Sequence, residues 1–220
     1  LDVMARQGPL QAYRAVTKKL EAYSPLGYSS AGEVIDVGDN VTDFKTGDYV
    51  ACAGVGYANH AEIVAVPVNL CVKLKKDTDL KNAAYNTLGA IAMQSVRQAD
   101  LRLGENCAVI GLGLLGQLTC LILKASGVRV VGVDVNAFAV ETAASHSADL
   151  ALLRSTPGIE ESISNFTGGL GVDSVIIAAA TDSTDPINFA GAIARKKGRV
   201  VLLVRCLHRL IVTLTGIVKS

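Results

Sequence analysis

Tryptophan is missing from this chain of 220 residues, and aromatic residues of all kinds make up only 5% of it. Surplus charge is missing too. The 21 basic and 20 acidic side chains nearly cancel, so neither nucleic acid nor an anionic membrane surface is indicated as a partner. No apolar run approaches the length of a membrane-spanning helix; Leu118–Leu123 reads as the buried face of a helix. The first ten residues carry no basic region followed by an apolar core, so no secretory leader is read in them. The five cysteines form no Cys-x-x-Cys pair and their number is odd, which favours reduced, buried thiols in a cytosolic protein over a disulfide-bearing one. What remains is abundant Ala, Val, Leu, Ile and Gly, with half of all residues hydrophobic. That mixture suits buried parallel strands packed closely against helices.

Two regimes follow one another along the chain. Met4, Leu10, Tyr13, Val16 and Leu20 carry helical spacing up to Pro25. Short strands and turns then run to about Val72: Ala31–Val37, Tyr49–Cys52 and Ala61–Val66 are read as strands, with a turn at Gly38-Asp39-Asn40. They suggest a small, partial barrel. After a polar connector, a single long helix is expected over Lys81–Asp100. From residue 106 strands and helices alternate: strands at 106–110, 128–134, 150–153, 173–179 and 199–204, and helices at 115–126, 137–146, 159–166 and 187–195. Repeated β-α units of this length imply a parallel sheet with right-handed crossovers. The expected division is residues 1–80 for the barrel-like part and residues 81–220 for the α/β part.

The centre of the second regime is Asn106-Cys107-Ala108-Val109-Ile110-Gly111-Leu112-Gly113-Leu114-Leu115-Gly116. Gly-x-Gly-x-x-Gly alone is a weak pattern, but here a strand precedes it and an apolar helix with a glycine just past its end, Gly127, follows it. Gly111 would let the chain turn out of the strand, Gly113 would let backbone N–H groups approach a pyrophosphate, and Gly116 would let the helix pack on the strand. The phosphates would sit at the helix N-terminus. Eighteen residues after Gly116, the next strand ends at Asp134, a carboxylate placed to accept ribose hydroxyls and to repel a 2′-phosphate. Val135 and Asn136 follow with no arginine, so NAD(H) is expected over NADP(H). Asp134 can also be read as a cap for the helix starting near Ala137, and the two roles are compatible. The expected cofactor contacts are Gly111, Gly113, Leu114, Leu115, Gly116, Asp134 and Ala179.

These residues resemble the medium-chain dehydrogenase/reductase superfamily, which includes alcohol dehydrogenases and quinone reductases. The resemblance runs from about Pro25 to Val204. It is carried by Gly27-Tyr28-Ser29-Ser30-Ala31-Gly32-Glu33-Val34, by Val37-Gly38 through Gly47-Asp48-Tyr49-Val50, by the glycine-rich turn, and by Gly168-Gly169-Leu170-Gly171-Val172-Asp173. More narrowly, Leu26–Gly32, Ala51–Gly54 and Tyr57–Glu62 resemble the dehydrogenase module of bacterial two-module oxidoreductases linked to polysaccharide biosynthesis. The resemblance implies a doubly wound Rossmann sheet preceded by a partial GroES-like barrel. It also implies an oxidoreductase with a small-molecule substrate, and it suggests a homodimer and a fused second Rossmann module as partners.

Departures from the family pattern shape the expected chemistry. Tyr28-Ser29 stand where zinc-dependent members have His-Glu, and the position of a further ligand falls near Asn86-Thr87. None of these is a good zinc ligand at neutral pH, and the cysteine-rich structural lobe is missing, so no metal is expected. Carbonyl polarisation then falls to Tyr28, Tyr57, Asn59 and His60, with His60 the one whose side-chain type titrates near neutrality. The plain alternative is that Asn59 and His60 are polar residues at a strand entry and that Tyr28 packs. Arg205-Cys206-Leu207-His208 breaks the expected continuation, and the chain begins with Leu, so a fragment with altered ends is expected. The functional expectation is a zinc-independent NAD(H)-linked oxidoreductase acting on an alcohol or carbonyl, with a sugar derivative as one candidate. An enoyl- or quinone-reductase-like enzyme and a non-catalytic dinucleotide-binding module are the alternatives.

Overall fold

The structure, a computed structural model, describes residues 25–203, and the helix expected over residues 1–24 lies outside them. The described residues divide into two compact units, one ending at Asn86 and the other beginning at Thr87. Among the described residues no helix is long and apolar enough to cross a membrane.

The first unit is built on three antiparallel strands in the order β1 (Ser29–Glu33), β2 (Tyr49–Ala53) and β3 (Cys71–Leu74). Its core is small: Val50, Cys52 and Ala58 are buried, with Val34, Phe44, Val66 and Cys71 packed against them. Asp48, at the entry to β2, fixes the turn before it by accepting from Lys45 N at 3.0 Å, and it pairs with Lys73 of β3 at 2.7 Å. Two expectations are corrected here. Ala61–Val66 is not a strand. Both edges of β2 are taken, by β1 and β3, residues 61–66 pair with no strand among the described residues, and Pro67 leads into a 3-10 turn at Val68–Leu70. The strand expected over Ala31–Val37 starts and stops earlier, as β1.

The long helix expected over Lys81–Asp100 is interrupted. A short α1 (Leu80–Ala83), capped by the Asp79 carboxylate accepting from Lys81 N at 2.9 Å, is followed by α2 (Asn86–Ala99). The break at Ala84–Tyr85 has a cause in hydrogen bonding. The Ala84 carbonyl accepts from Ser29 Oγ at 2.6 Å, and the Asn86 side chain turns toward β1 and β2.

The second unit is a five-stranded parallel sheet in the order β6-β5-β4-β7-β8: β4 (Asn106–Ile110), β5 (Arg129–Asp134), β6 (Leu150–Leu153), β7 (Val172–Ile177) and β8 (Ala194–Leu202). Between the strands run α3 (Leu114–Ala125), α4 (Ala137–His146), α5 (Ile159–Phe166) and α6 (Asp185–Ile193). Alternate residues of each strand face opposite ways, and both faces are covered. Ala108, Ile110, Val131, Val133, Val175 and Ile177 pack with Ile159 and Ile163 of α5 and with Phe189, Ala190 and Ile193 of α6. Cys107, Val109, Val130 and Ile176 pack on the other face with Ala99, Cys120, Leu123 and Ala143 of α2, α3 and α4. Each fully buried Val or Ile adds about 1.5–3 kcal/mol of transfer free energy to this core. β7 ends at Ile177 rather than at Ala179. α6 begins earlier than expected because Pro186 presets its first turn. β8 starts at Ala194, five residues before the expected strand, with a register irregularity against β7 between Val172 and Ser174.

Candidate functional site: a glycine-rich turn at the sheet switch point

The sheet grows outward from β4 in both directions, through β5 to β6 on one side and β7 to β8 on the other. The crevice at the carboxyl end of such a switch point is where doubly wound sheets take their ligands. The glycine-rich turn leaves β4 at this point. Gly111 adopts φ +97°, and a Cβ added there would stand 2.5 Å from Ala179 N and 2.7 Å from Ala179 Cα. Ala178 N also donates to Ile110 O at 2.8 Å, so the end of β7 is held hard against the turn. Gly116 is crowded in a different way: a Cβ there would collide with the Gly111 carbonyl oxygen. A Cβ on Gly113 would meet nothing within 4 Å, which leaves open space above the turn. Gly113 is the N-cap of α3 and supplies no side-chain cap, so the first N–H groups of the helix lack intrahelical acceptors and face the crevice.

Asp134 ties the neighbouring strand to this turn. Its Oδ2 accepts from Leu112 N at 2.5 Å and its Oδ1 accepts from Asn136 N at 2.7 Å. A carboxylate has about four lone-pair sites, so each oxygen retains capacity for a further donor. Capping of α4 falls to Asn136, whose Oδ1 accepts from Phe138 N at 2.9 Å. Asp134 is therefore not the helix cap; it is a brace for the glycine-rich turn. Leu112 is buried, while Leu114 is 53% exposed at the helix start.

Gln117 is a bracing residue that the sequence pattern left without a role. Its Nε2 donates to Leu112 O at 3.2 Å and to Ala139 O at 3.0 Å, and its Oε1 accepts from Ser147 Oγ at 2.6 Å. It thereby fastens the turn to α4. At the same end of the sheet, Arg154 follows β6 and grips Asp185 through Nε at 3.0 Å and Nη2 at 2.8 Å, stacking over Phe189. Its charge is thus matched within the protein.

In the first unit the structure brings Tyr28, Asn59 and His60 into one neighbourhood. His60 N donates to Leu26 O at 2.8 Å, and the His60 ring lies so close over Gly27 that a Cβ there would overlap it. Tyr28, 37% exposed, receives Gly54 N on its carbonyl at 3.0 Å. Asn59 Oδ1 is buried without a hydrogen-bond partner among the described residues.

At Ser29 and Asn86, two of the positions where the family resemblance would put zinc ligands, the side chains are turned to backbone carbonyls. Asn86 Nδ2 donates to Cys52 O at 3.2 Å and to Ser30 O at 3.3 Å, and Ser29 Oγ donates to Ala84 O at 2.6 Å. Here polar hydrogens are aimed at backbone carbonyls, whereas a zinc ion needs thiolate, imidazole or carboxylate electron pairs. Among the described residues no three His, Cys, Asp or Glu side chains cluster closely enough to hold a metal ion.

Comparison with known proteins agrees with this architecture. The family model described as an alcohol dehydrogenase GroES-like domain matches residues 1–76, and the model described as a zinc-binding dehydrogenase matches residues 115–215. The chain is 34% identical to D-guloside 3-dehydrogenase of Shigella flexneri over 155 residues, which are 69% of this chain and 43% of that protein. It is 29% identical to the NAD-dependent alcohol dehydrogenase of Sulfurisphaera tokodaii, covering 92% of this chain and 66% of the relative. Alcohol dehydrogenase TADH from Thermus sp. ATN1 shares the fold, with a TM-score of 0.79 and 22% identity over 93% of this chain and 69% of that one. The chain thus spans between 43% and 66% of the length of these two curated relatives. With a GroES-like segment followed by a doubly wound sheet whose glycine-rich turn sits at the switch point, the chain belongs to the medium-chain dehydrogenase/reductase superfamily.

Proposed function

We propose that the chain is the cofactor-binding and substrate-facing part of an NAD(H)-linked oxidoreductase that acts on an alcohol or carbonyl substrate without catalytic zinc. The observation that carries this reading is the Asp134 carboxylate locked onto Leu112 N at the mouth of the glycine-rich turn. The bound nicotinamide supplies or accepts the hydride. The chain's own residues do the rest. The first N–H groups of α3 receive the pyrophosphate, Gly113 leaves room for it, and Asp134 offers its remaining lone pairs to ribose hydroxyls. Leu114, Leu115 and Ala179 line the approach. A 2′-phosphate would meet the Asp134 carboxylate, and the nearby Arg154 is engaged by Asp185, which favours NAD(H) even though both NAD- and NADP-dependent enzymes occur among the relatives.

On the substrate side, Tyr28, Asn59 and His60 are the groups proposed to orient and polarise an oxygen, with His60 passing the proton. A sugar derivative is the favoured substrate class because D-guloside 3-dehydrogenase aligns with over two thirds of this chain. The want of a metal-holding cluster among the described residues and the presence of polar donors also fit hydride transfer to an activated alkene or quinone, which the same residues would serve.

Three measurements test the proposal together: fluorescence titration with NADH, turnover with sugar alcohols, ketoses and quinones, and zinc content by mass spectrometry. NADH binding, turnover and far less than one zinc per chain are expected. Stoichiometric zinc would overturn the metal-free reading, and cofactor binding without any turnover would leave a dinucleotide-binding module.

A further inference from the structure

Cys52 and Cys71 lie nineteen residues apart in sequence yet face each other directly across the β2–β3 ladder. Their sulfurs are 3.7 Å apart, and both thiols are free. Directly opposed residues of an antiparallel pair have Cα atoms about 4.5–5.5 Å apart, inside the range of about 4.4–6.8 Å that a disulfide spans. Only about 1.7 Å of sulfur movement separates this contact from a bond of about 2.0 Å. The two thiols are not equivalent. Cys52 is buried in the small core and its pKa is pushed up to about 12 by that burial and by the neighbouring sulfur, so it is a poor first nucleophile. Cys71 sits on the outer strand, is only partly buried, and lies 3.4 Å from the Pro67 carbonyl.

We propose that Cys52 and Cys71 are an oxidation site, a pre-aligned dithiol that a hydroperoxide closes into an intramolecular disulfide. The Cys71 thiolate attacks one oxygen of hydrogen peroxide, the O–O bond breaks, and the departing hydroxide is protonated to water, leaving a sulfenic acid. The Cys52 sulfur then attacks the Cys71 sulfur, the S–O bond breaks, and a second water leaves with the Cys52 proton. Two thiols lose two protons and two electrons, and the peroxide is reduced to two waters. Because the Cys52 carbonyl accepts from Asn86 Nδ2, the bond forms one residue's width from the Ser29–Asn86 network.

The test uses the full chain carrying Cys206→Ser, which leaves four of the five cysteines. After brief treatment with hydrogen peroxide, the thiol titre in denaturant should fall from four to two. Peptide mapping without reductant should show a Cys52–Cys71 link, and dithiothreitol should restore the titre. Phenylarsine oxide, which bridges neighbouring thiols, should bind the untreated chain once and protect it from peroxide. The linked peptide appears without any change at either cysteine, so its detection does not depend on a variant folding. An unchanged titre, a link involving Cys107 or Cys120, or a sulfinic acid at Cys71 with Cys52 still alkylatable would each overturn the proposal.

Discussion

The two units of this chain solve the problem of burial in opposite ways. The second covers both faces of a parallel sheet with helices and fills each with Val, Ile and Leu, so its central strands β4, β5 and β7 are buried on both sides. The first has three short strands, a core of Val50, Cys52 and Ala58, and a polar knit of Ser29, Asn86 and Asp48. In the second unit, geometry at the glycine-rich turn is set by steric contact, with no room at Gly111 or Gly116 for a single extra carbon. In the first, geometry is set by directed hydrogen bonds. A sterically set site fails abruptly when an atom is added; a hydrogen-bonded one weakens by degrees as partners are lost.

That contrast can be broken at several points. The largest effect is expected from Gly111→Ala. The new Cβ must occupy the space of Ala179 N in a backbone conformation that itself costs about 1–3 kcal/mol for a non-glycine residue. Thermal unfolding should shift down by at least several degrees, given about 2–4 °C per kcal/mol in a chain of this size. A wild-type melting temperature would show that the turn is less tightly packed than described. Next comes Gly116→Ala, which drives a methyl into the Gly111 carbonyl oxygen and should weaken NADH binding by about tenfold or more through about 1–3 kcal/mol of overpacking.

Asn86→Ala comes third. Removing the donor to Cys52 O and Ser30 O should cost about 1–2 kcal/mol of stability while leaving NADH affinity unchanged, as calorimetry and titration on the same variant would reveal. The smallest effect concerns acid. Lys73, donating to Asp48, and then the Lys45 backbone hold the Asp48 carboxyl below its usual range. A depressed folded-state pKa contributes stability above the unfolded value and loses it as pH falls through the folded one. Asp48→Asn should therefore flatten the loss of stability below about pH 4 while lowering stability at neutral pH. An unaltered acid profile would show that the pair contributes nothing.

The second unit was far easier to read from the sequence than the first, and the reason is physical. Strands buried on both faces are continuous apolar runs, and helices between them carry an apolar stripe, so 106–110, 137–146, 150–153 and 159–166 were located to the residue. In the first unit the strands are short and half-buried, and side chains decide their limits. Ala61–Val66 has the composition of a strand but pairs with none among the described residues, whereas Cys71–Leu74 pairs with β2 despite two exposed positions. The helix break before Asn86 depends on Ser29, 57 residues away, and no local pattern encodes that. The same long-range pairing placed Cys52 beside Cys71, which spacing alone could not reveal. At the glycine-rich turn, the motif announced the turn and Asp134, but the bracing by Gln117 emerged only once α4 was packed beside it.

The central claim, that this turn and Asp134 form an NAD(H) site, is tested most directly by titrating NADH and NADPH in parallel against the wild-type chain and Asp134→Ala. The account predicts tighter binding of NADH than NADPH to the wild type. It also predicts a loss of about tenfold for NADH in the variant, with the preference for NADH narrowed or erased. Equal or tighter binding of NADPH by the wild type, or a preference untouched by Asp134→Ala, would contradict it.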